Sequence, residues 1–145
     1  MKKSDIQIAK NLLGQNNFVC VIVKNGEILF SSSKKGIQPF FDALARHDRE
    51  KYQGCSIADR VIGKAALMLA AYLGAKEVYS PLASQHAIDV SCDLSLNLEA
   101  EKVVPYIINR TNDGMCPMEK AVLDIIDPEK AYETLENKLQ ELKLG

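Results

Sequence analysis

No stretch of this chain is apolar for long enough to cross a bilayer, which excludes a helical membrane span. Met1-Lys2-Lys3 is basic, but Lys10, Asn11, Gln15 and Asn16 interrupt the apolar residues after it, so a signal peptide is not expected. The four cysteines, Cys20, Cys55, Cys92 and Cys116, are widely separated and include no Cys-x-x-Cys pair. Without a secretory signal they are expected to be free thiols in a reducing cytoplasm. An excess of charge of one sign is also lacking: the net charge is −1 and no long basic block is present, which disfavours nucleic acid as a partner. Repeats, linkers and low-complexity tracts are lacking, and residues 1–145 are expected to form one domain with a core of its own.

Local signals place the elements. Ser4 caps a first helix with Ile6, Ala9, Leu12 and Leu13 on its apolar face and Gly14 as its stop. Two β-branched runs, 18–23 and 28–30, flank Asn25-Gly26, a strong hairpin signal. A short helix is expected over 39–45 and a charged loop over 46–54. Ser56-Ile57-Ala58-Asp59 has the Ser-x-x-Asp form of a capping box, and a long apolar helix is expected from there to Gly74. A brief strand 77–80 ends at Pro81, a short helix covers 84–90, and strand character returns over 96–108 with Pro105 at an edge or bulge. Pro117 marks the first turn of a further helix, with Cys116 as its N-cap. Asp127-Pro128 opens a last helix with Tyr132, Leu135, Leu139 and Leu142 along one stripe, which is expected to pack on the sheet and offers a homodimer contact. Helices around a mixed sheet make a three-layer α/β/α sandwich with an N-terminal β-hairpin.

The hairpin around Asn25-Gly26, the segment Gly54-Cys55-Ser56-Ile57-Ala58-Asp59-Arg60 and the segment Asp113-Gly114-Met115-Cys116-Pro117-Met118-Glu119 resemble an uncharacterised bacterial family of cytidine deaminase-like fold. The resemblance covers nearly the full length and implies a fold more than an activity. Zinc deaminases need a His or Cys ligand before Ala-Glu at the mouth of the central helix and Pro-Cys-x-x-Cys at the mouth of the next. In this chain the first place reads Ile57-Ala58-Asp59 with no ligand in front of Ala58, and the second reads Ser80-Pro81-Leu82-Ala83-Ser84 with both cysteines gone. Zinc deamination is therefore not expected, and no metal or other cofactor is implied.

What remains is a set of polar residues near helix starts. A thiol at Cys116 would face orphan N–H groups and the positive end of a helix dipole, a setting that lowers a thiol pKa. Glu119, three residues on, is placed to reach back to the N-cap N–H, and its charge opposes a thiolate there. Cys55 reads as a reactive thiol or as a small buried hydrophobe. Asp59 reads as a capping carboxylate or as the relic of a proton-shuttling one. Arg60 and Lys64, at i,i+4 spacing beside Ser56, suit a phosphate, as does Arg110 in the polar loop that carries Asp113. Three functions are compatible with this set. One is a zinc-free protein that binds a small anionic ligand such as a nucleotide or nucleoside derivative. Another is a cysteine-dependent enzyme using Cys116 or Cys55, with Asp59 or Glu119 as proton partner. The third is a non-catalytic scaffold or regulatory subunit.

Overall fold

The structure, a computed structural model, describes residues 3–15, 17–109 and 111–144. Helix α1 (Asp5–Leu13) begins where Ser4 and Gln7 close a reciprocal capping box, and Gly14 caps its end. Strands β1 (Cys20–Lys24) and β2 (Glu27–Ser32) form the expected hairpin. Asn25 and Gly26 both take left-handed backbone, with φ of 53° and 78°, as a two-residue turn of this hand demands. The Asp5 carboxylate accepts hydrogen bonds from both turn N–H groups, at 2.9 and 2.8 Å, and so pins α1 to the hairpin.

The central helix starts later than the capping-box pattern suggests. Ser56–Asp59 is a strand, β3, and Val61–Ile62 is another, β4; helix α4 runs only from Lys64 to Leu73, behind Gly63. The reason is burial on both sides. All four residues of β3 are buried between two helical layers, so the strand lacks the alternation that would betray it. Ser56 caps no helix; its Oγ donates to Glu77 Oε2 at 2.5 Å across the ladder. From Lys64 the chain changes to Ala, Leu and Met, residues that favour helix, and Gly74 at φ 99° stops it.

Strand β5 (Glu77–Ser84) also runs past its expected end at Pro81. The ladder register steps from Ser80↔Ala100 to Leu82↔Lys102 on one side and from Ala58↔Tyr79 to Val61↔Leu82 on the other, so the missing proline N–H falls between paired positions on both sides. Strand β6 (Asn97–Val104) pairs with β5 and forms an edge. The result is a mixed six-stranded sheet in which β1 is antiparallel to β2 and β3, while β3, β4 and β6 run parallel to β5.

Strand periodicity divides the core. Val21, Val23, Ala58 and Tyr79 face α1 through Ala9 and Leu13. Cys20, Ile22, Ile57 and Val78 face the other side, where α4 is buried. Around α4 lie α2 (Gln38–Arg46), α5 (Gln85–Asp93), α6 (Pro117–Ala121) and α7 (Pro128–Leu144), and the short α3 (Arg49–Tyr52) occupies part of the expected 46–54 loop. Tyr132 of α7 stacks on Tyr72 at 4.6 Å and on Phe41 at 5.4 Å, and Leu135 is fully buried, whereas Leu142 at the end of the stripe is exposed. Among the described residues no helix is long and apolar enough to cross a membrane. Asp5→Ala should release the hairpin turn from α1 and lower stability by roughly 1–2 kcal/mol, read as a lower urea midpoint at unchanged m-value.

Candidate functional site

Pro117 opens α6 and Cys116 is its N-cap, as the Cys-Pro pair implies. The thiol makes no capping hydrogen bond. Glu119 at the third helical position does something other than reach back to Cys116, whose N–H instead donates to Ile107 O at 2.7 Å. Its side chain turns inward, 1% exposed, and gathers donors from three other parts of the chain. Oε2 accepts from Lys64 N at 2.7 Å, in the first turn of α4, and from Ser84 Oγ at 2.5 Å, the N-cap of α5. Oε1 accepts from Ile107 N at 2.8 Å. Ser84 Oγ in turn accepts from Ala87 N at 3.1 Å, so α5 is capped through the same cluster. Two helix mouths thus converge on one anion, which their partial positive charge favours. That anion is the chain's own carboxylate.

Gly63 makes the approach possible. A Cβ there would lie 2.9 Å from Glu119 Oε2 and 2.9 Å from Ile107 Cγ1, closer than side chains pack. The mouth of α4 is therefore Gly63-Lys64, downstream of the Ala58 that the deaminase motif would place there. Neither residue offers a metal ligand, and among the described residues no three His, Cys, Asp or Glu side chains gather where they could hold a metal ion. Zinc does not fit these residues.

The other expected site residues scatter. Arg60 is not on the central helix: it follows β3, where its Nε and Nη2 donate to Phe18 O and Leu13 O at 2.6 and 3.1 Å and tie down the α1–β1 connection. Lys64 sends Nζ to Leu123 O at 2.6 Å, away from Arg60's partners; burial lowers its pKa, against the pull of Asp124, Asp93 and Glu119. Cys55 is fully buried ahead of a strand, and burial pushes its thiol up to about 12. Asp113 closes a self-contained loop, accepting from Thr111 Oγ1 at 2.6 Å and Asn109 Nδ2 at 2.9 Å, bonds that lower its pKa. Arg110 lies outside the described residues. Lys64, Cys116 and Glu119 are thus brought to one place, while Cys55, Ser56 and Arg60 serve other contacts. Gly63, Ser84 and the Ile107 N–H complete the cluster; a lone glycine before an Ala/Leu run is the one local hint of Gly63.

Asp59 is a separate case. It is 1% exposed in β3, opposite Cys20. Oδ1 accepts weakly from Val61 N at 3.4 Å, and Oδ2 has no partner among the described residues. Burial pushes its carboxyl up to about 8, and burial, then the Asp59 charge, raises the Cys20 thiol well above its ordinary value.

These two carboxylates make different demands on stability. Glu119→Gln sets an amide NH₂ against the donors and should cost about 2–4 kcal/mol of unfolding free energy in urea, with Glu119→Ala at least as costly. For Asp59, the unfolded chain sheds its proton near the ordinary carboxylate value while the folded chain keeps it up to about 8. Between those limits the unfolded state binds fewer protons, so stability falls as pH rises, by something on the order of 5 kcal/mol across the window. Asp59→Asn should flatten that slope in urea titrations run from about pH 4 to 9, and should make the protein more stable than the wild type at the upper end.

Residues 8–139 match the model of the family described as TM1506: Domain of unknown function (DUF1893). Among solved structures, a DUF1893 family protein (TM1506) from Thermotoga maritima is similar with a TM-score of 0.82 at 21% identity, covering 97% of this chain and 92% of that one. A dCMP deaminase from the cyanophage S-TIM5 in apo form gives a TM-score of 0.48 at 19% identity, covering 66% and 93% of the two chains. The same deaminase in complex with dCMP and dUMP gives 0.46 at 17% identity, covering 66% and 92%. No curated protein matches the chain. The match to the family model spans most of the sequence, and the chain belongs to the DUF1893 family.

Proposed function

We propose that this protein works by binding a small anionic ligand, in the class of nucleotides and nucleoside derivatives, and that the place where zinc deaminases do their chemistry is here a structural joint. The observation that carries the non-catalytic half is Glu119 at the convergence of the α4 and α5 mouths. In a zinc deaminase the corresponding helix mouths hold the metal and its activated water. In this chain a carboxylate already satisfies Lys64 N, Ser84 Oγ and Ile107 N, and a ligand anion at the same point would have to displace it. The helix mouths thus support architecture, and an anionic ligand belongs elsewhere on the molecule.

A thiol enzyme has less support. Cys55 is buried with its thiol pushed up to about 12, and Cys116 is half-buried with no capping hydrogen bond. Two assays separate the readings. Incubated with zinc and with cytidine, deoxycytidine or dCMP, the protein should release no ammonia. Iodoacetamide near neutral pH should label Cys116 no faster than the exposed Cys92, with Cys20 and Cys55 slowest. Ammonia release, or Cys116 reacting orders of magnitude ahead of Cys92, overturns the non-catalytic reading.

A further inference from the structure

At the opposite end of the sheet from Glu119, the hairpin and the α2–α3 corner border an open cleft of about 440 Å³. Its walls carry Lys24 at the end of β1, Arg46 and His47 at the end of α2, and Lys51 in α3; Glu27 is the one carboxylate among the lining residues. The chain as a whole is slightly acidic, so this clustering runs against its net charge of −1. Among the described residues the ion-paired lysines are Lys10, Lys34, Lys76 and Lys138, all outside the cleft. The nearby Asp5 carboxylate is engaged by the Asn25 and Gly26 N–H groups. The cleft also has an apolar side: Leu29 and Ile28 line it, Ile28 being 48% exposed, and the half-buried His47 ring lies 5.8 Å from that of Tyr52.

We propose that this cleft binds a phosphate ester of nucleotide size. Three cations around one concavity supply the charge, with Arg46 offering a planar fork for phosphate oxygens and Lys24 and Lys51 acting as point charges. Ile28, Leu29 and the His47 ring receive an apolar or planar body, and the volume lies within the range of small-molecule sites. The inference rests on the reading that the domain works by binding, and it supplies the location and the ligand class.

Thermal unfolding in the presence of inorganic pyrophosphate and of 5′-AMP, each at millimolar concentration, tests it. Both should raise the wild-type Tm by a few degrees. The double variant Arg46→Glu, Lys51→Glu, which alters two exposed side chains, should lose the rise while keeping its circular dichroism spectrum. A control with the same charge change placed elsewhere, Lys102→Glu with Lys130→Glu, should keep it. No rise in the wild type, a rise that survives in the cleft variant, or equal loss in the control overturns the proposal. Ammonia release or a fast Cys116 would instead sink the non-catalytic reading and leave this result untouched.

Discussion

The Glu119 carboxylate is the joint on which this end of the fold depends. A buried carboxylate is tolerated only where donors replace its water, and here they come from α4, from the cap of α5 and from the strand-to-loop segment at Ile107. Lys64 N would otherwise be an orphan, because helix mouths leave N–H groups without intrahelical partners. One side chain therefore caps one helix directly and another through Ser84, and ties Ile107 to both. At Gly63 a Cβ would crowd the carboxylate and the Ile107 side chain, each 2.9 Å away.

Among the described residues, other polar groups near the joint are also engaged within the chain. Lys64 is drawn to Leu123 O, and the 109–113 loop closes on itself through Asn109, Thr111 and Asp113.

How much of this is legible in the sequence depends on how far apart the interacting residues lie. The Ser4 cap, the Asn25-Gly26 turn and Cys116 before Pro117 are signals confined to a few neighbouring residues, and each appears in the structure where its pattern places it. Segment 56–59 mimics a helix start because a strand covered on both faces loses its period of two, while Ser56 and Asp59 happen to stand at capping-box spacing. Arg60 and Lys64 share a spacing but no helix, since α4 begins only at Lys64. Glu119 is visible in sequence as a polar residue in a first turn but not as a joint, because its partners lie 55, 35 and 12 residues away. No periodicity or motif encodes a contact across that distance.

The two ends of the sheet therefore differ in how their polar groups are used. At the helix mouths the groups are spent on one another, and a ligand would have to break bonds already made. At the hairpin end the cations of Lys24, Arg46 and Lys51 surround a concavity with one carboxylate among them. Bringing like charges together costs free energy, modestly at an exposed and salt-screened surface, and a bound anion removes that cost while adding its own attraction. Affinity comes most readily where the protein alone leaves interactions unmade. By that criterion the hairpin cleft, and not the helix mouths, is the place proposed for a ligand.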